Sequence, residues 1–141
     1  MPLSACLCAG ERHESTQFER VLEHVRVPRR RGRARTRPAV VIADKGYDIP
    51  RIRDYLRRRG IRGMIPEKAL PEGKKRRRRG RRPRFDKALY ARRNVIERLI
   101  GWLKEHRRLA TRFEKLGESF LAMVKLAFMR RYLTIYFSDT P

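Results

Sequence analysis

Residues 39–65, AVVIADKGYDIPRIRDYLRRRGIRGMI, decide the fold class. Ala39 to Ala43 is an uninterrupted apolar run rich in β-branched side chains, the pattern of a strand covered on both faces in a parallel or mixed sheet. From about Pro50 to Arg59 a helix places Ile52, Tyr55 and Leu56 on one face, with Asp48 near its start as a cap and Gly60 as its stop. Ile61 to Ile65 reads as the next strand. Strand, helix and strand in that order imply a right-handed crossover. Asp44 therefore falls at the carboxyl end of its strand, where α/β sheets present their ligands.

Upstream of this unit, Leu3 to Ala9 is short, apolar and closed by Gly10, and reads as a buried strand. A chain that opens inside a sheet is expected to lack what came before. Phe18, Val21, Leu22 and Val25 recur at i, i+3, i+4 and i+7, so residues 16–27 are expected to form an amphipathic helix, capped by Thr16 and ended by Pro28. Arg29 to Arg37 reads as a basic loop. Downstream, residues 67–85 turn to Gly, Pro, Lys and Arg, including Lys74-Lys75-Arg76-Arg77-Arg78-Arg79, a stretch whose self-repulsion favours mobility without a partner. The arginines from Arg76 to Arg84 either track phosphates or form a solvated loop. Two helices close the chain, from about Asp86 to Leu109 and from about Gly117 to Phe137. The second reads most simply as core packing through Phe120, Met123, Val124, Ala127 and Phe128, with a self-association surface as the other option.

The 141 residues, 40% of them apolar, suit one compact domain over residues 1–141. Lys and Arg number 38 against 15 Asp and Glu, so a net charge of +23 attracts polyanions at long range, and nucleic acid is the leading partner. A membrane is excluded as partner, because the longest apolar stretch, Phe120 to Phe137, is interrupted by Lys125, Arg130 and Arg131. Cys6 and Cys8 are too close for a loop-closing disulfide and too few for structural zinc, and no secretory pattern opens the chain, so a reduced, cytoplasmic protein is expected. His13, His24 and His106 are scattered over different elements and receive no chemistry.

On one continuous helix over residues 87–109, Tyr90, Arg93, Glu97, Lys104 and Arg108 fall within about 60° of arc. Val95, Ile96, Leu99, Trp102 and Leu103 occupy the other side, so Glu97 points away from the stripe that buries the helix. Two accounts of the row stand open: an i, i+4 ion pair between Arg93 and Glu97 on a solvated face, or a functional face. Gly101 on the same side either tolerates its position or admits close approach of a ligand.

The literal spacing adds to this periodicity. Tyr90, Arg93, Glu97 and Lys104 reproduce the Tyr-Arg-Glu-Lys pattern, and the sequence resembles the DDE transposases of bacterial insertion sequences, in the insertion sequence four/five type branch that carries it. His106 to Lys115 resembles the basic segment after the family's glutamate. Ala43-Asp44-Lys45-Gly46-Tyr47-Asp48 resembles its second-aspartate motif, and Ile61 to Pro66 the strand that follows. The resemblance implies a partial RNase H-like fold of the α/β class, with a short mixed sheet, flanking helices and two carboxy-terminal helices. It implies that Asp44 and Glu97 are catalytic and hold Mg²⁺ or Mn²⁺, a role that suits hard oxygen donors. It further implies that Tyr90, Arg93 and Lys104 contact DNA near the cut, with Lys45 and Arg108 beside them.

The family's first aspartate has no counterpart here, and neither has a region recognising the element's ends. The expected function is thus that of a transposase fragment, nucleoid-associated and inactive without its amino-terminal part. The alternative is a non-catalytic DNA-binding inhibitor or a decayed remnant. The expected partners are the element's ends, target DNA, and the amino-terminal part or a full-length transposase.

Overall fold

The computed structural model describes residues 1–69 and 85–138. The run from Lys74 to Arg84, and with it the expected mobility of residues 67–85, lies for the most part outside the described residues. The chain divides into two compact units: one comprises residues 37–93, the other residues 1–36 with 94–141.

The unit of residues 37–93 is the strand, helix and strand read from the sequence. Strand β1 (Val40–Ile42) pairs in parallel with β2 (Arg62–Met64), Val41 lying opposite Gly63. Helix α1 (Pro50–Arg58) connects them. Proline at its first turn costs no hydrogen bond there, and Gly60, at φ +60°, ends it in the left-handed region that glycine enters without penalty. The helix buries Ile52 and Leu56, with Ile61, Met64 and Ile65 as their partners in the unit's core. At Gly63 a Cβ would sit 2.8 Å from Leu56 Cδ1, so the strand has room for hydrogen alone beneath that buried side chain.

Three expectations for this unit change. The strand is shorter than residues 39–43 and only half-buried, not covered on both faces. The sheet is a parallel pair, and no third strand joins it among the described residues. Asp48 is not the cap of α1, whose first flanking residue is Ile49. Its carboxylate is instead buried in an ion pair: Arg53 Nε donates to Oδ1 at 2.6 Å, the Lys68 N–H donates to Oδ2 at 2.7 Å, and Arg53 Nη2 reaches the Ile65 carbonyl at 3.0 Å. Helix α2 (Lys87–Ala91) ends the unit. Asp86 caps it by accepting the Leu89 N–H at 3.0 Å.

In the other unit, Leu3 to Ala9 has no regular secondary structure and pairs with no strand among the described residues, so the expected buried strand is not formed. Its contacts are with a helix: Ala5 packs on the core, and the Tyr132 hydroxyl donates to the Pro2 carbonyl. The expected helix over residues 16–27 is a 3-10 turn, Glu14–Gln17, followed by α3 (Phe18–Glu23). Val27 then exchanges both backbone hydrogen bonds with Arg35, at 2.9 and 2.8 Å, which removes Val25 and Val27 from the helical register and makes the basic loop a small hairpin.

The long helix expected over residues 86–109 is three. After α2 come α4 (Asn94–Glu105) and α5 (Arg107–Ala110). The first break arises because the Arg92 and Arg93 N–H groups bond three residues back, to Leu89 at 3.2 Å and Tyr90 at 2.9 Å, tightening the last turn. Asn94 follows, a residue that favours helix ends. At the second break His106 takes an extended conformation and its carbonyl starts α5, accepting from Leu109 and Ala110 at 2.9 Å. The last helix, α6 (Gly117–Ser138), matches its expected span. Its Val124 and Ala127 join Leu109 in a core flanked by Trp102, Leu103, Phe120, Met123 and Phe128, so core packing accounts for its first half. Leu126, Met129 and Leu133 are exposed.

Candidate functional site

Asp44 leaves β1 at its carboxyl end, immediately after the last ladder bond, in which the Ala43 N–H donates to the Met64 carbonyl at 3.3 Å. Its side chain is exposed and caps a 3-10 turn, Lys45–Tyr47, by accepting the Gly46 N–H. The turn is closed by Tyr47 N–H to Asp44 O and Asp48 N–H to Lys45 O, both 3.1 Å. The backbone thus fixes Asp44 from one side and the Asp48–Arg53 pair holds the turn from the other. Lys45, exposed, projects from the same turn.

Tyr90 and Arg93 belong to the same unit as Asp44. The Arg93 guanidinium lies 5.7 Å from the centroid of the Tyr90 ring, and Phe85 stands 5.2 Å from that ring at a tilt of 48°. Glu97, Lys104 and Arg108 belong to the other unit. The break in the helix therefore divides the row expected on one continuous face: only Glu97 and Lys104 remain on one helix, seven residues and nearly two turns apart on α4, both exposed. The apolar stripe opposite them is buried only in part. Trp102 and Leu103 pack on the core, whereas Val95 and Ile96 are exposed.

Arg108 is held within its own segment. Its guanidinium pairs with the Glu114 carboxylate and lies 4.7 Å from the Phe113 ring centroid, closing the turn in which Arg112 adopts φ +48°. Strain of that kind persists where neighbouring contacts hold it, so Arg108 has a structural task in the turn after α5. His106 sets its ring edge-on to Trp102 at 4.7 Å, and Arg131 covers the same indole at 4.8 Å.

For residues 1–130 the chain matches the model of the transposase DDE domain family. The chain belongs to that family. A Burkholderia cepacia protein that carries the name of a transposase for insertion sequence element IS402 is 35% identical over 126 residues, covering 89% of this chain and 54% of that protein. This DDE-family chain thus spans about half the length of the curated relative it matches. No solved structure matches it significantly. No helix among the described residues is long and apolar enough to cross a membrane.

DDE transposases use a divalent metal ion, and the residues present fit one in kind but not in number. Asp44 and Glu97 supply carboxylate oxygens, the donors Mg²⁺ and Mn²⁺ prefer. Among the described residues no group of three or more His, Cys, Asp and Glu side chains could hold a metal. Cys6 and Cys8 are free thiols.

Two constellations leave no local signal in the sequence. The Asp48–Arg53 pair gives no periodic signal, because Asp48 precedes the helix that carries its partner. Arg62, Phe85, Asp86 and Lys87 line a pocket of about 580 Å³. It joins β2 to the start of α2 across more than twenty residues of sequence, a contact that no local pattern announces.

Proposed function

We propose that this chain is the carboxy-terminal part of the RNase H-like catalytic domain of an insertion-sequence DDE transposase, in the insertion sequence four/five type branch, with Asp44 and Glu97 as two of its three catalytic carboxylates. One observation carries the reading furthest: within a chain that belongs to the DDE family, Asp44 stands exposed at the carboxyl end of a parallel strand. Side chains at such strand ends converge on ligands in open α/β sheets. The Tyr90, Arg93, Glu97 and Lys104 spacing, at its literal register, supports the assignment of Glu97 and of the branch.

When bound, Mg²⁺ or Mn²⁺ supplies the electrophilic assistance for in-line displacement at phosphorus. Asp44 and Glu97 would hold it, Asp44 from the turn that its own carboxylate caps and Glu97 from the first turn of α4. Lys45, Arg93 and Lys104 neutralise phosphates, and Tyr90 positions the strand through its ring or hydroxyl. Arg108, exposed beside them in sequence, adds a further phosphate contact and shapes the turn that follows α5. The first carboxylate and the recognition of the element's ends come from sequence beyond these 141 residues, in keeping with the half-length coverage of the relative.

Cleavage of DNA carrying the element's ends tests this division of labour. A protein uniting this chain with a segment that supplies the first carboxylate is expected to cut in the presence of Mg²⁺, and the 141 residues alone are not. Cleavage by the chain alone would remove the need for a third carboxylate from elsewhere. No cleavage by the united protein, with DNA still bound, would favour an inhibitor or a remnant.

Binding itself has a separate expected signature. Each neutralised phosphate releases a counterion, so a chain engaging about six phosphates loses about 10³-fold in affinity between about 50 and 200 mM salt. A titration by fluorescence anisotropy at several salt concentrations reads this slope. An affinity indifferent to salt would contradict a phosphate-tracking mode.

A further inference from the structure

Helix α6 is apolar on two faces. One face carries Val124 and Ala127 into the unit's core. On the other, Ser119, Ala122, Leu126, Met129, Leu133 and Tyr136 follow one another at alternate steps of three and four residues, the 3.5-residue period that keeps a seam on one side of a helix. At roughly 100° per residue this seam is centred about 180° from Val124 and Ala127, so it points away from the core. Leu126, Met129, Leu133 and Tyr136 are between 54 and 78% exposed, a contiguous row of large side chains rather than a scattered few.

The seam is graded in size: Ser119 and Ala122 at its start are small, Leu133 and Tyr136 at its end are large. Laid antiparallel on itself, with a two-fold axis between Leu126 and Met129, it sets Ser119 against Tyr136, Ala122 against Leu133 and Leu126 against Met129 of the second copy. Each small side chain then meets a large one, as a filled interface requires. The flanking charges fit the same register. Lys125 falls opposite Tyr132, and Arg130 opposite Met123, of the second copy, so no like charges meet. Parallel pairing instead sets Lys125 against Arg130 and Ala122 against Ala122, which adds a repulsion and leaves a void.

We propose that α6 is a self-association surface that pairs antiparallel with α6 of a second copy along the seam from Ser119 to Tyr136. Such an interface is isologous and closes as a dimer. Size gradient and charge pattern select a second copy as the occupant, because both are complementary to themselves when reversed. The surface uses none of the residues assigned above to metal or DNA. The net charge of +23 on each chain opposes the pairing, so the dimer tightens as salt rises, the reverse of DNA binding.

Sedimentation velocity of the full chain tests the pairing. At micromolar concentration in roughly 1 M salt, where charges are screened beyond about 3 Å, the chain is expected to sediment as a dimer, and to dissociate more readily at roughly 0.1 M. Leu126→Glu should raise the dimer dissociation constant by about 100-fold, the scale of losing a buried anchor. Its circular dichroism should match the parent's, because Leu126 lies outside the core. A swap reads the orientation. Ala122→Leu sets two large side chains in one layer and should weaken the dimer by about tenfold, the scale of overpacking, whereas Ala122→Leu combined with Leu133→Ala restores small against large and the parent's affinity. A monomer at both salt concentrations would overturn the proposal and leave the seam to a segment of a longer transposase. A dimer indifferent to Leu126→Glu would place the interface elsewhere, and a dimer tightened by Ala122→Leu would replace the antiparallel register with a parallel one; either result overturns the proposal as well.

Discussion

In a transposase that unites this chain with a first carboxylate, Asp44→Asn and Glu97→Gln are each expected to lower Mg²⁺-dependent strand cleavage by about 10³-fold, the scale of losing a preorganised charge contact at a reacting centre. DNA affinity should stay within about twofold, because phosphate contacts made by Lys and Arg are untouched. The structure explains why these substitutions isolate chemistry from folding. Asp44 caps the turn at Lys45–Tyr47 through the Gly46 N–H, and asparagine caps as well as aspartate, so Asp44→Asn keeps the turn. Glu97 is exposed in the first turn of α4, where glutamine has nearly the same helix propensity and the interactions of an exposed carboxylate are worth at most about 1 kcal/mol. Each change therefore removes a negative oxygen donor at small cost to the fold. Cleavage within tenfold of the parent, with an unchanged thermal transition, would take that residue out of the site.

The difference in how well the two halves of the chain could be read has a local cause. Residues 39–65 carry their structure in short-range signals: a β-branched run, a proline at the first helical turn, apolar residues four apart at Ile52 and Leu56, and a glycine where φ must be positive. Each signal agrees with its neighbours, and strand, helix and strand form where expected. Leu3 to Ala9 has the composition of a strand but no pairing partner among the described residues, and composition does not reveal whether a partner is present. Residues 86–109 show the opposite failure. A 3.6-residue periodicity runs through Tyr90 to Arg108 without a proline or a helix-ending glycine to interrupt it, yet the chain turns at Arg92–Arg93 and again at His106. The first turn coincides with the boundary between the two units, which falls between Arg93 and Asn94, and at the second the His106 ring stands edge-on to Trp102.

The candidate site was legible to the same degree. Asp44 could be placed because it follows a strand directly, and the strand formed. The shared face of Tyr90, Arg93, Glu97, Lys104 and Arg108 depended on a helix that does not run through, so of the five only Glu97 and Lys104 lie on one helix, while Arg93 stays over the Tyr90 ring. The proposal for the other members rests on their literal spacing, a property of the sequence alone. Arg108 has partners that its charge alone does not announce: Phe113 and Glu114, five and six residues on, engage its guanidinium within its own turn.

Asp48→Ala is expected to destabilise the unit of residues 37–93 by about 3 kcal/mol, the lower part of the range for breaking a buried pair, because the Arg53 side chain, 24% exposed, can recover some hydration. The Asp48 side chain is 1% exposed and accepts two hydrogen bonds from opposite directions, one from the Arg53 guanidinium and one from the Lys68 backbone. Removing it leaves a partly buried cation and an amide N–H without this acceptor, while Arg53 still reaches the Ile65 carbonyl. Asn should not rescue the loss. Both partners are donors, and a carboxamide offers an oxygen to only one of them and sets its own NH₂ against the other. Pairing Asp48→Ala with Arg53→Met should recover part of the stability, since the unmatched charge leaves together with its partner. The effect reaches the candidate site through the backbone, because the Asp48 N–H closes the same turn that Asp44 caps. Asp48→Ala should therefore speed amide exchange from Asp44 to Tyr47, in addition to lowering the urea midpoint of the unit. A loss below about 0.5 kcal/mol, the ordinary size of a surface substitution, would mean that the ion pair does not hold the turn, and that Asp44 is positioned by its own cap and by β1 alone.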